Sequence, residues 1–370
     1  MSTFLQLHLL TAYPPANLNR DDLGRPKTAI VGGRMRLRVS SQSLKRAWRV
    51  SDVFQQALGG ENLGMRTKEI GLRAYQAMTK DMPFREALDS TLGLDRLAEP
   101  KGQEKKAFEL ANKIADHFGK AKGKDKNNQY AQLETEQMVH ISDAEIQAVQ
   151  KLLDAWKAGE KIDDKLNLLR RKHAACDIAM FGRMIAAQPV YNTDAAVQVA
   201  HAFSVDQAAV EDDFFTAVDD LNRREEDAGA GHMGIQEFGS GLYYLYVCVN
   251  RDLLVDNLDG DEDLARESLR ALARAACTVA PTGKQNSFAS RANAAYVLAE
   301  RGAEQPRSLS LAFLDPIKDN GEGMLDTAVN SLRATKRSMD EAYGPKLDTT
   351  ECYAAKGEGS MAEVFDFLAE

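Results

Sequence analysis

One stretch restricts the possible folds more than any other: residues 19–49, NRDDLGRPKTAIVGGRMRLRVSSQSLKRAWR. It has to make a loop, then a strand, then a helix. Asn19, Asp21, Asp22, Gly24 and Pro26 are turn formers, and the Gly32-Gly33 pair turns the chain before the strand. From 34 to 39 the residues alternate, which predicts a strand with Met35, Leu37 and Val39 on an apolar inside and Arg34, Arg36 and Arg38 on a cationic outside. Ser40, Ser41 and Ser43 are N-cap candidates. Leu44, Ala47, Trp48, Ser51, Phe54 and Leu58 then share one helical stripe, with Lys45, Arg46 and Arg49 on the other side, until Gly59-Gly60 stops the helix.

The same stretch is a basic island. It holds nine cations against Asp21 and Asp22, a balance of +7, in a chain of net charge −8, so the remainder carries about −15. An acidic protein that gathers its cations in one loop, strand and helix start is built to meet a polyanion at one place. A solvated charged face is the plainer reading. The alternation of the run, and the serines and amides mixed into it, favour the polyanion.

The chain of 370 residues is long enough for a sizeable core and one to three domains, and 44% hydrophobic with 28% charged residues is ordinary globular composition. No window reaches the run of about 18 apolar residues a membrane helix needs. The start, MSTFLQLHLLTAYPP, has no basic region or cleavage-like site and reads as a first strand over 3–11, buried on both faces. Cys176, Cys248, Cys277 and Cys352 are scattered, which fits a reducing cytoplasm and argues against zinc; no cofactor is indicated.

From 61 to 172 helical patterns follow one another, at 66–80, 83–99, 103–118, 142–158 (with Ser142 and Glu145 as a capping box) and 163–174. Within them GKAKGKDKNNQ at 119–129 is almost wholly polar and reads as a mobile loop. Strand character returns at 177–183 and 196–205. An acidic, aromatic segment follows at 212–231, and then a long strand at 232–250 broken at Gly239 and Gly241. A helix at 261–279, a Gly-Lys loop at 282–287, strands near 294–300 and 308–314 and helices near 324–342 and 360–369 complete the chain. Strands and helices in this order, with insertions, outline an α+β, ferredoxin-like sheet. The expected division is 1–60, an inserted helical domain at 61–172, then 173–195, 196–234 and 235–370.

NRDD at 19–22, Lys27, Gly32-Gly33, SSQSLKR at 40–46, GRM at 182–184, FTAVDDL at 215–221, Gly234 with QEF at 236–238, and GKQ at 283–285 occur in that order. Together they closely resemble the CasC family, the backbone subunit of the type I-E CRISPR surveillance complex Cascade, in the RAMP superfamily. The resemblance spans nearly the whole chain and is weakest at 61–170 and beyond about 315. It implies an RRM-like palm (1–60, 173–195, 235–370), helical fingers (61–172) and a protruding thumb hairpin (196–234). It also implies that copies stack head to tail along the spacer of a CRISPR RNA (crRNA) and present its bases to target DNA. The large, small, crRNA-end-capping and repeat-processing Cascade subunits would be the other partners.

Guides differ in every base, so a backbone subunit must hold phosphates and sugars. Arg20, Lys27, Lys45, Arg46 and Arg49 are the leading phosphate contacts, with Asn19, Ser40, Ser41, Gln42 and Ser43 adding hydrogen bonds and the helix N-terminus its amides. By the resemblance Lys284 touches RNA, Met184 beside Arg183 wedges against a base, and Phe214 and Phe215 flank a displaced nucleotide, an unstacking offset by new contacts. Lys120, Lys122, Lys124 and Lys126 are candidates for target DNA. His201, in an alternating apolar strand, reads as a buried structural histidine, and His232 as a contact to RNA or a neighbour.

Two rival functions remain. Asp21 and Asp22, beside a phosphate track, are placed to hold a divalent metal and cut guide-paired RNA. Alternatively they support their loop, which is favoured because NRDD matches the non-cleaving family and no histidine acid–base set lies nearby. The second rival is a self-assembling protein without nucleic acid, its basic island docked on an acidic thumb.

Overall fold

The computed structural model describes residues 2–91, 100–163, 165–172, 174–217 and 232–370. Its strands are β1 (Phe4–Ala16), β2 (Thr28–Val31), β3 (Arg34–Val39), β4 (Met65–Thr67), β5 (Val139–Ile141), β6 (Val197–Val199), β7 (Ala202–Ser204), β8 (Glu211–Ala217), β9 (His232–Asn250), β10 (Tyr296–Gly302) and β11 (Asp348–Cys352). The chain divides into two compact units. One comprises Met1–Ala57, Val197–Asp252 and Arg266–Glu370, the other Leu58–Ala196 and Leu253–Ala265.

The first unit is built on a nine-stranded sheet in the order β11-β10-β1-β9-β7-β3-β2, with β6 and β8 also paired to β9. Every pairing in it is antiparallel. β1 sits at its centre between β9 and β10 and is buried on both sides, as its composition predicts. Leu5, Leu7 and Leu9 lie on one face of β1, and Gln6, His8 and Leu10 on the other. On the latter face Tyr246 Oη donates to Gln6 and Tyr244 Oη lies 2.9 Å from His8 Nδ1. Leu10, Tyr244, Tyr296, Phe313, Val329 and Leu332 form an apolar cluster there, in part from the Met324–Tyr343 helix. The β1–β9 register shifts between Tyr13 and Ala16, where Pro14 and Pro15 have no N–H to give the ladder.

The second unit is mostly helical: Ile70–Thr79, Phe84–Asp89, Gln103–Phe118, Asp143–Lys157 and Cys176–Phe181, with the small β4–β5 pair. Ile70, Phe84, Ile114, Phe118, Leu133, Ile146 and Val149 are among its fully packed core, and Trp156 packs against them. Ser142 and Glu145 make the expected capping box.

Several sequence expectations need correction. The helix expected from 66 starts only at Ile70, because Met65–Thr67 pairs with β5. That expected over 83–99 is helical at Phe84–Asp89, while 92–99 lie outside the described residues. No helix forms at 163–174 among the described residues, where the Arg170 N–H is held by Glu145. The strand expected at 177–183 is the Cys176–Phe181 helix, an apolar run too short for periodicity to decide. Residues near 308–314 hold a 3-10 turn, Ser310–Phe313, and the edge strand β11 was missed because DTTEC carries no apolar alternation. β9 continues as one strand through Gly239 and Gly241, and the irregularity there is the register shift of its β1 partner between Tyr13 and Ala16. The polar 119–129 segment is tied down by hydrogen bonds between Lys122 and Glu134 and between Glu136 and Lys120, and by the Lys120–Glu136 ion pair.

Candidate nucleic-acid interface

The corner from β3 into the Ser41–Arg49 helix is locked by side chains distant in sequence. Ser40 is the N-cap, and its Oγ accepts from the Ser43 N–H at 3.3 Å. The Ser40 N–H donates to Asn19 Oδ1 at 2.9 Å, and the Ser41 N–H donates to His201 Nδ1 at 2.9 Å. The Leu44 N–H returns to the Ser40 carbonyl. The amides of Ser41, Ser43 and Leu44 thus have internal partners, so the helix start does not offer a phosphate the open set of donors that was expected. Asn19 and the buried Ser40 and Ser41 support the corner. Gln42, Lys45, Arg46 and Arg49 fall at i, i+3, i+4 and i+7 and share one helix face. Gln42 and Arg46 are exposed, while Ser43, Lys45 and Arg49 are half-buried. Leu44, Ala47 and Trp48 anchor the opposite face.

β3 departs from simple alternation. Arg36, expected outside, is fully buried, and its guanidinium donates to the carbonyls of Ser204 (2.9 Å), Val205 (2.7 Å) and Phe313 (3.0 Å). Met35, expected inside, is 52% exposed and lies opposite Ile30 of β2. Carbonyls that end neighbouring segments can satisfy a buried guanidinium, and periodicity cannot reveal them. The Gly32 turn lies so close to the Leu314 carbonyl that a Cβ there would overlap it.

The NRDD loop closes on itself. Asp21 Oδ1 accepts from the N–H groups of Leu23 (2.9 Å) and Arg25 (2.8 Å), and the Lys27 N–H reaches the Asn19 carbonyl at 2.8 Å. Arg20 and Asp22 are exposed and Lys27 is half-buried. Two other sequence motifs, QEF at 236–238 and GKQ at 283–285, converge on this loop. Asn17 Nδ2 donates to the carbonyls of Gly24 and Glu237, and Arg25 pairs with Glu237 at 3.1 Å. Lys284 Nζ donates to Gln236 Oε1 at 2.6 Å. A Cβ on Gly283 would come within 2.2 Å of the Leu18 carbonyl, so only glycine lets this loop approach. Arg20, Arg25, Phe215, Gln236, Glu237 and Lys284 line a cleft of about 510 Å³. Gln236 of the QEF motif and Arg25 of the basic island were not assigned to the RNA track, because nothing in their local sequence shows that they meet Lys284 and Glu237.

Phe214 and Phe215 on β8 are 62% and 42% exposed, opposite Ile235 and Gly234 of β9. The Phe215 ring lies over Gly234, where a Cβ would come within 2.5 Å of it. The rest of the FTAVDDL run and of the acidic, aromatic segment, 218–231, lies outside the described residues, as does the His232 side chain.

In the second unit Met184 is 76% exposed, on the rim of a cavity of about 420 Å³ that Phe118, Lys120, Glu136 and Met138 also line. Its neighbour Arg183 is not the surface cation that was expected. The Arg183 side chain is buried and bridges both Glu145 oxygens at 2.9 and 2.8 Å, and it also donates to the carbonyls of His140, Arg170 and Tyr191. With its donors turned inward it supports the fold.

His201 also differs from expectation. It is exposed, not buried, and its pKa is lowered by desolvation and by the nearby charges of Arg38 and Lys27. Among the described residues no three His, Cys, Asp or Glu side chains are grouped to hold a metal ion, and no helix is long and apolar enough to cross a membrane.

The fold is similar to those of two solved chains. One, from a structure titled CRISPR RNA-guided surveillance complex, pre-nicking, superposes with a TM-score of 0.76 at 29% identity over 99% of both chains. The other, from a structure titled CRISPR RNA-guided surveillance complex, gives a TM-score of 0.59 at 25% identity over 99% of this chain and 98% of its own. The curated proteins gave no match. A family model described as CT1975-like protein matches residues 5–367, and the chain belongs to that CT1975-like family.

Proposed function

We propose that this protein is the non-catalytic backbone subunit of a type I-E CRISPR surveillance complex, Cascade. In this reading copies stack head to tail along the crRNA spacer in the cytoplasm. They hold its phosphates without sequence preference and present its bases to target DNA, beside the large, small, end-capping and repeat-processing subunits. The observation that carries the reading is one cationic helix face, Gln42, Lys45, Arg46 and Arg49, with Arg20 and Lys27 in the preceding loop of an acidic protein. Its charge suits phosphates, and the corner beneath it is held by Asn19, Ser40 and His201. Likeness over 99% of the chain to parts of RNA-guided surveillance complexes supports the same conclusion.

The run β10-β1-β9-β7 supports a ferredoxin-like, RRM-like palm. The helical unit would be the fingers and the β8–β9 hairpin the thumb, with exposed Phe214, Phe215 and Met184 available to splay and stack bases. Asp21, committed through Oδ1 to its loop, fits a support better than a metal ligand.

The test is to sequence RNA that co-purifies with the protein and measure its salt-dependent release. Lys45→Ala with Arg49→Ala should lower the slope of log affinity against log salt by about 1.4, from roughly 0.7 per single-strand phosphate contact. An unchanged slope removes these residues from the track. Mg²⁺-dependent cleavage of guide-complementary RNA, lost in Asp22→Ala, would replace the scaffold reading with a ribonuclease.

A further inference from the structure

His201 was not assigned to the RNA track, yet it makes one of the bonds that fix the track's helix. We propose that neutral His201 is a positioning residue for the cationic helix: its Nδ1 latches the Ser41 amide, and a proton on that nitrogen opens the latch. This rests on the RNA-binding reading above for its functional consequence, though not for the latch itself.

The geometry fixes the protonation state. A backbone N–H can only donate, so Nδ1, 2.9 Å from the Ser41 nitrogen, must present its lone pair. The ring is therefore neutral, with its proton on Nε2. The latched amide belongs to the first residue of the Ser41–Arg49 helix, and Ser40 on its other side is held by Asn19. Opening the His201 contact removes one of the bonds that hold the first turn and leaves Asn19, the Ser40 cap and the Leu44 N–H to Ser40 bond. Gln42 lies in that turn and Lys45 and Arg46 in the next, so a fraying first turn moves the residues that meet phosphate. The charged groups acting on His201 are Arg38 from β3 and Lys27 from the loop, both cationic, and its exposure leaves it open to a solvent proton. Neither cation contests the Ser41 amide, whereas a protonated Nδ1 would meet it donor to donor.

Asparagine offers a test, since its Oδ1 lies where Nδ1 does and accepts without titrating. Hydrogen exchange of the peptide over 40–49 and affinity for a generic single-stranded RNA would be measured from pH 7.5 to 5.5 for the native protein, His201→Asn and His201→Ala. The native protein should match His201→Asn at pH 7.5. As pH falls below the ordinary imidazole value toward 5.5 it should progressively exchange faster over 40–49 and bind RNA more weakly than His201→Asn, by up to about fivefold, the usual scale for a lost helix cap. His201→Ala should behave like the acidified native protein at every pH. Equal exchange in native and His201→Asn at all pH values would overturn the latch. A relative gain in RNA affinity on acidification would show the imidazolium binding phosphate itself and would also overturn it. If no variant binds RNA at pH 7.5, the RNA reading fails while exchange over 40–49 still decides the latch.

Discussion

Arg183 gives the sharpest separation between a supporting cation and an RNA-binding one. Its guanidinium makes two bonds to the buried Glu145 and three to the carbonyls of His140, Arg170 and Tyr191. Arg183→Ala removes all five and leaves Glu145 a buried carboxylate answered, among the described residues, by the N–H groups of Ser142 and Arg170. Breaking a buried pair on one side costs about 3–5 kcal/mol. With a urea m-value of about 2 kcal/mol/M, the unfolding midpoint of the helical unit should fall by about 2 M. The two tryptophans make the assay local, because Trp48 lies in the sheet unit and Trp156 packs on the helical core. Fluorescence in a Trp48→Phe background would follow the helical unit alone. Arg183→Lys should lose most of the same stability, since an ammonium cannot span the carboxylate and three carbonyls together. Arg183→Met with Glu145→Gln should recover part of it. A native midpoint in Arg183→Ala, with an RNA salt slope lowered by about 0.7, would show that Arg183 binds phosphate and refute the supporting role.

Other outcomes follow from the geometry. Burial alone would raise the Glu300 carboxyl, but the bonds and charges of His8 and Arg307 outweigh it and hold its pKa at about 2. Its contribution, up to about 3 kcal/mol, is then complete above the unfolded value near 4.5 and lost as pH falls from there toward 2. Acid unfolding followed at Trp48 should show this loss, and Glu300→Gln should flatten it. Gly283→Ala drives a methyl into the Leu18 carbonyl and should cost about 1–3 kcal/mol in thermal unfolding, while loosening the Lys284–Gln236 bond. Phe214→Ala, on an exposed ring, should leave the melting temperature nearly unchanged and weaken RNA binding by about 1–3 kcal/mol if the ring stacks a base. A stability loss without an affinity loss would make it a packing residue.

Much of the fold can be read from local pattern. The Gln103–Phe118 helix, the capped Asp143–Lys157 helix and the Glu262–Thr278 helix fall within a residue or two of their stripes and caps. What escaped depends on partners far away in sequence. Arg36 looks like a surface cation until the carbonyls of Ser204 and Phe313 are beside it, and Arg183 does until Glu145 is. His201 follows apolar alternation yet reaches out to the Ser41 amide. At the candidate interface the cationic helix face was visible as sequence, because i, i+3, i+4 and i+7 is a local rule. The meeting of loop 17–27 with Gln236, Glu237 and Lys284 was not, because motif order along a chain says nothing about distance.

β9 runs unbroken for 19 residues, about 60 Å of extended chain. Its last part is laddered to β1 in the middle of the sheet, and its first part to β8, which carries Phe214 and Phe215. A hairpin carried on a separate linker would swing freely and pay ordering entropy at each engagement. Here the aromatic pair is mounted on a lever whose other end is clamped in the core. Its pose is inherited from the sheet's twist, so small changes of pairing near the Pro14-Pro15 bulge would be amplified at the aromatic end. In an assembly of identical copies, such a mount would act as a ruler: each copy would present its rings at the same height and angle.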